Sequence, residues 1–160
     1  MKKQKGFSLI ELLIVVAIIL IIAAIAIPNL MRSKMAANES SAVGSLRTIN
    51  TAEVTYSTNN PTIGFGALGV LGGNCPSGTA ATSAAACLID NVLATGTKSG
   101  YSFGATPTAP SAGTVSVAYQ SFAHPISVNQ SGTRDFCSDE SGVIYATIGV
   151  GTCVQGTNPL

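Results

Sequence analysis

The chain has 160 residues, enough for one small domain plus one membrane-crossing element. Eight Lys and Arg oppose seven Asp and Glu, and only 9% of residues are charged. That balance leaves no basic patch of the kind that dominates nucleic-acid binding.

The chain opens with a short basic leader, Met1-Lys2-Lys3-Gln4-Lys5. Gly6-Phe7-Ser8-Leu9-Ile10-Glu11 follows, then Leu12 to Ile27 without a charge, then Pro28. The apolar stretch from Phe7 spans roughly 31 Å as a helix, which matches the hydrocarbon thickness of a bilayer. Lys2, Lys3 and Lys5 place the N-terminus on the cytoplasmic side, and the chain after about Asn29 outside the membrane. Glu11 is the anomaly. A carboxylate inside a span costs about 2.5–3.5 kcal/mol at the centre and less toward an end, so a chain that keeps one has a partner for it.

Three readings of this segment compete. A secretory signal cleaved after Ala24-Ile25-Ala26 fits the basic leader but not the buried acid or the length of the run. A plain one-span anchor explains the length and leaves Gly6-Phe7 and Glu11 as accidents. The third reading places cleavage before the apolar run, between Gly6 and Phe7, so that the leader leaves and the helix stays.

Lys5-Gly6-Phe7-Ser8-Leu9-Ile10-Glu11-Leu12-Leu13 resembles the signature shared by type IV pilins and type II secretion pseudopilins. The resemblance covers about the first 35 residues. It implies cleavage by prepilin peptidase after Gly6 and N-methylation of Phe7. It further implies polymerisation of copies through the N-terminal helix, extraction from the inner membrane by an assembly platform and motor, and display as a surface filament. In that setting Glu11 meets the Phe7 ammonium of a neighbouring subunit. An unpaired buried charge is costly and a well-formed pair removes much of the penalty, so this contact sets register. Cohesion comes from the aliphatic faces of Leu9 through Ile27.

The long helix is expected from Phe7 to about Thr58, with Asn59-Asn60-Pro61 as its stop. Pro28 falls inside it and predicts a kink or a melted segment just before it. Family members often carry a glycine in the anchor; here none lies between Phe7 and Gly44. Arg32 and Lys34 are placed to reach lipid headgroups before assembly. Met35, Ala42, Val43, Leu46, Ile49, Ala52 and Tyr56 recur at three- and four-residue steps and form an amphipathic stripe.

Residues 60 to 78, rich in Gly, Pro and Asn, read as loop; their GxG pairs lack the strand–turn–helix context of a phosphate cradle. Ala80 to Thr95 reads as a short helix, with Leu88/Val92 and Ile89/Leu93 paired and Gly96 as its C-terminal cap. The last third reads as β. Tyr101 and Phe103 alternate, and Thr106 to Gly113 is a loop. Val115, Val117 and Tyr119 alternate again. Arg134–Cys137 and Val143–Ile148 flank a hairpin turn at Ser138-Asp139-Glu140-Ser141-Gly142.

Cys75, Cys87, Cys137 and Cys153 lack CxxC spacing, and His124 is the only histidine, so a zinc site is not expected. Outside the cytoplasm four cysteines read as two disulfides. Three connectivities are open; proximity favours Cys75–Cys87 and Cys137–Cys153. The second resembles the disulfide-bounded C-terminal region of many pilins. Asp135, Asp139 and Glu140 cluster near the turn without the spacing of an established Ca²⁺ loop. Asn38-Glu39-Ser40 and Asn129-Gln130-Ser131 match the glycosylation tripeptide, a weak signal. No convergent set of acids, bases and nucleophiles appears, so neither enzyme activity nor a cofactor is expected.

The expected organisation is a cleaved leader (residues 1–6), a hydrophobic transmembrane and filament-core helix (7–30) and a pilin head (31–160) holding the amphipathic half of the helix. The fold class is α+β, with the long helix packed on a small antiparallel sheet. The implied function is that of a type IV pilus subunit serving adhesion, twitching motility or DNA uptake. The alternative is a type II secretion pseudopilin. Major pseudopilins typically carry Ca²⁺ where pilins have the C-terminal disulfide, so Cys137 and Cys153 favour the pilin.

Overall fold

The computed structural model describes residues 7–73, 81–109, 115–149, 151, 156 and 158–160. The chain divides into two compact units, Met1–Lys34 and Met35–Leu160. One helix, α1 (Leu9–Asn59), contributes to both. It ends at the Asn59-Asn60-Pro61 stop, where proline denies the next turn a donor.

From Leu12 to Ile27, within the first unit, α1 is apolar on every side. Its most hydrophobic 18-residue window has a mean hydropathy of 3.3 with none of it buried, long and apolar enough to cross a membrane. The core helix of a soluble protein would be covered instead. The segment before Pro28 is not melted: α1 is helical through the proline. Pro28 cannot donate to the Ala24 carbonyl, but this is one bond lost from a long ladder flanked by Ala, Ile and Leu, which keep the helix.

In the second unit α1 shows one buried face. Ala42, Ser45, Leu46, Ile49, Asn50, Ala52, Glu53 and Tyr56 are buried at three- and four-residue steps. Leu46 and Ile49 are fully covered, each worth about 1.5–3 kcal/mol of burial. They pack on a five-stranded antiparallel sheet of β1 (Thr97–Lys98), β2 (Tyr101–Thr108), β3 (Ala118–Pro125), β4 (Arg134–Asp139) and β5 (Ile144–Ile148) in sequential order. The pairing sets Phe103 opposite Ala123, Ala123 opposite Phe136, and Phe136 opposite Ala146. These side chains therefore share the face turned to the core, with Tyr101 and Ile144.

Two glycines are required by this sheet. Ser99 and Gly100 both have positive φ and close a two-residue hairpin between β1 and β2. A Cβ on Gly100 would stand 2.8 Å from the Ser131 Cβ. On the outer face a Cβ on Gly104 would lie 2.3 Å from the ring of Phe122, its cross-strand partner.

The segment after α1 departs from expectation. Leu68–Leu71 forms a short helix, α2, within the stretch expected to be loop. The helix expected over Ala80 to Thr95 shrinks to α3 (Asn91–Ala94). Asp90 accepts from the Leu93 N–H and so fixes the start of α3. Upstream, the donors go elsewhere: Ala86 N–H to the Val70 carbonyl, Cys87 N–H to Gly72 and Leu88 N–H to Leu71. Leu88 and Ile89 thus belong to a strap against α2, not to a helical face with Val92 and Leu93. Gly96, at φ +81°, follows α3 as its left-handed terminator. Strand β2 runs on to Thr108, consuming the first part of the expected 106–113 loop, and β3 extends to Pro125.

Candidate functional site

Phe7 lies just before α1 and is largely exposed; Gly6, the other half of the expected cleavage site, lies outside the described residues. Ser8 precedes the first helical residue. Its backbone N–H donates to Glu11 Oε2 at 2.9 Å. Ser at the cap and Glu three residues into the helix is the capping-box arrangement, which satisfies a donor that the helix leaves open. Glu11 therefore has an occupation within its own chain: it closes the helix N-terminus, where the aligned peptide dipoles favour a negative charge. The sequence carried this signal locally in Ser8-x-x-Glu11. Beyond it Leu9, Ile10, Leu12, Leu13, Ile14 and their successors through Leu30 are exposed all round the helix. Such a surface calls for lipid or for other apolar helices.

In the head, the polar residues that tie α1 to the sheet escaped the apolar periodicity. Glu39 accepts from the Thr133 N–H at 2.8 Å, the Thr133 hydroxyl at 3.0 Å and Arg134 Nε at 2.8 Å. Burial alone would raise its pKa, but the Thr133 and Arg134 hydrogen bonds outweigh burial and hold it below the ordinary value. Asn50 donates to the Ser138 hydroxyl at 2.7 Å and accepts from Ser121. Glu39→Ala removes three charge-assisted bonds at once. Because Arg134 keeps partial solvent access, the expected loss is about 2–3 kcal/mol. It would be read as a fall of roughly 5–10 °C in the melting midpoint of the detergent-solubilised chain. An unchanged midpoint would show that the Glu39 bonds add nothing net to the hold on the helix.

On the outer face of the sheet, Asp135 is fully buried, and its Oδ2 meets His124 Nδ1 at 2.8 Å. The same oxygen accepts from the Gly151 N–H. His124, near the end of β3, stacks on Phe122 with ring centroids 4.5 Å apart. Asp139 accepts from the Ser141 N–H and hydroxyl within the turn, and Glu140 is exposed. Asp135 and Asp139 are four strand residues apart, roughly 13 Å, so the three acids do not converge. No group of three or more His, Cys, Asp or Glu is arranged for a metal ion among the described residues.

Neither Cys87 nor Cys137 is free. Cys75 and Cys153 lie outside the described residues, and the expected pairing lies there with them. Asn38 sits in α1 with its amide donating to the Ser131 carbonyl, while Asn129 is exposed at φ +63°.

Comparison with known proteins bears on the N-terminal segment. Residues 1–27 match the family described as the prokaryotic N-terminal methylation motif. The chain is 59% identical over 39 residues to the type IV wide pilus major component PilA4 of Thermus thermophilus, covering 24% of this chain and 30% of that protein. It is 46% identical over 54 residues to the type IV major pilin protein PilA of Myxococcus xanthus, covering 34% and 24%. It is 36% identical over 58 residues to the type II secretion system core protein G of Escherichia coli, covering 36% and 40%. The chain thus spans well under half the length of each of these relatives. No solved structure matches it. With the capped, largely apolar helix, these matches make the N-terminal segment of this chain similar to those of type IV pilins and of a type II secretion core protein, and the similarity extends no further than about the first 58 residues.

Proposed function

We propose that this chain is the structural subunit of a type IV pilus. The observation that carries the reading is α1: a methylation-motif helix with an unburied apolar surface in its first unit that continues, without interruption, into the core of a folded head. Prepilin peptidase cuts between Gly6 and Phe7 and leaves Phe7 as the methylated N-terminus. The hydrophobic helix of residues 7–30 waits in the inner membrane. A platform and motor then move it into a filament that carries the 31–160 heads on the cell surface. Transfer from lipid to a core of like helices is nearly neutral for aliphatic side chains, so an external motor is required. Pro28 kinks the helix within the filament, Glu11 pairs with the Phe7 ammonium of a neighbour, and Cys75–Cys87 and Cys137–Cys153 brace the head. Adhesion, twitching motility and DNA uptake are the uses such filaments serve. The reading assigns no catalytic step to the chain.

The similarity to a secretion-system core protein supports a second reading, a periplasmic pseudopilin. Two measurements separate the readings. Sheared surface filaments that contain this chain beginning at methyl-Phe7 support the pilus; a mature chain beginning at Ile27 overturns both. Stripping Ca²⁺ with a chelator is expected to leave the melting of the head unchanged, and a marked loss favours the pseudopilin.

A further inference from the structure

The charges of the head are almost all spoken for. Lys98 pairs with Asp90 at 3.0 Å, Arg134 with Glu39 at 2.8 Å and His124 with Asp135 at 2.8 Å. Glu53 is fully buried. Among the described residues of the second unit, Arg47 is left without an acidic partner, and Asp139 and Glu140 without a cationic one. The surplus cation is on α1, and the surplus anions share one exposed turn.

Arg47 lies at the end of a groove of about 500 Å³. Ala36, Glu39, Ser40, Val43 and Gly44 of α1 line it together with Arg134, whose Nε donates to Glu39 and so neutralises the one carboxylate in the lining. Nothing stands within 4 Å of where a Gly44 Cβ would be, so the floor is open. The acidic turn sits elsewhere on the same unit: the Gly142 carbonyl and the Ser138 hydroxyl both accept from the Asn50 amide. The turn is therefore level with Asn50, and the groove centre lies roughly nine residues lower on α1, or about 13 Å along the helix axis.

We propose that the groove is the socket for the Asp139–Gly142 turn of a second copy of this chain, with Glu140 and Asp139 of one head paired to Arg47 and Arg134 of the next. The inference rests on the pilus reading, because only a polar filament holds copies parallel. Two parallel copies staggered by about 13 Å bring turn and groove to one level. The contact is heterologous: the patch given differs from the patch received, so it repeats without closing and extends a filament. Exposed pairs are individually weak and screened by salt. The contact thus sets which stagger is adopted, while the N-terminal helices supply cohesion.

The test is complementation between subunits in cells that make filaments from the native chain. Arg47→Glu places acid against acid at every head contact, and an Asp139→Lys/Glu140→Lys pair places base against base. Each variant alone is expected to lower filament yield at least tenfold; the Arg47→Glu head melts at the native temperature, and the double variant, which loses the Asp139 bonds from Ser141, stays folded but melts slightly lower. Co-expression of the two is expected to restore filaments containing both, because each socket then meets an opposite charge. Rescue only when all three changes share one chain would overturn the proposal in favour of an intramolecular pair. Native yield from either variant alone would overturn it and leave the pilus reading standing. Absence of filaments from the native chain would overturn both.

Discussion

Glu11→Ala is expected to lower filament yield by at least tenfold while the chain still inserts in the membrane and its head melts as before. Two jobs are lost in that substitution. Within the chain, the carboxylate accepts from the Ser8 N–H and closes α1, a contact worth about 0.5–2 kcal/mol. Between chains, under the pairing proposed above, it would neutralise the Phe7 ammonium of a neighbour, which would otherwise be buried unpaired at a cost of several kcal/mol. Glu11→Gln separates the two. Its amide oxygen can still accept from Ser8, but its charge is gone. If the proposed pairing governs assembly, Gln fails almost as badly as Ala. If Gln assembles at native yield, Glu11 is a helix cap and nothing more, and the register model falls. Membrane insertion is the control, because removing a carboxylate from an apolar span cannot make insertion harder.

Those two roles also mark where the sequence is readable and where it is not. The long helix is legible because its signals are local and repeated: an aliphatic run, a three- and four-residue stripe, and the Asn59-Asn60-Pro61 stop. The β4–β5 hairpin is legible for the same reason, with alternating residues on either side of an Asp-Glu-Ser-Gly turn. The helix expected over Ala80 to Thr95 fails because its apolar spacing is real but its backbone donors are claimed by α2 and its start is reset by Asp90. Two pairs of apolar residues four apart cannot outvote a cap. The polar ties of α1 are invisible for a different reason. Glu39 meets Arg134 across 95 residues and Asn50 meets Ser138 across 88, and no local pattern announces a partner at that distance. Glu39, Asn50 and Glu53 on an amphipathic helix look like its solvent face until the sheet is placed over them. The N-terminal segment is the opposite case: Gly6, Phe7 and Glu11 fall within residues 1–27, which match the methylation motif, so the similarity is written in a few neighbouring letters.

Glu53 provides the second large expectation, a head whose stability falls as the pH rises from about 5 to 8. Its side chain is fully buried on α1. One oxygen accepts from the Gly66 N–H at 2.9 Å, and the other has no hydrogen-bond partner among the described residues. Burial pushes the carboxyl up to about 7, with the Gly66 bond opposing only part of the rise. The phenols of Tyr56 and Tyr119 face the same region. Burial raises both, and the negative charge on Glu53 raises them further. No cation is paired with the carboxylate among the described residues. The sign follows from proton counting. Between the unfolded carboxyl value near 4.5 and the folded value near 7, the folded head holds the proton more tightly than the unfolded chain does. The contribution of Glu53 is therefore full below about pH 4.5, is lost as pH climbs through 7, and levels off above it. A shift of this size corresponds to about 3 kcal/mol, or roughly 6–12 °C in the melting midpoint. Glu53→Gln keeps an acceptor for Gly66 and cannot ionise, so its midpoint should stay nearly flat over that range. Glu39 does not confound the comparison, because its lowered pKa places its own loss of stability on the acid side of the window. Parallel pH profiles for the native chain and Glu53→Gln would mean that water reaches the carboxylate and solvates its charge. In that case the space between α1 and the Phe65-Gly66 loop is wetter than a sealed core, and the head gains nothing from protonating Glu53.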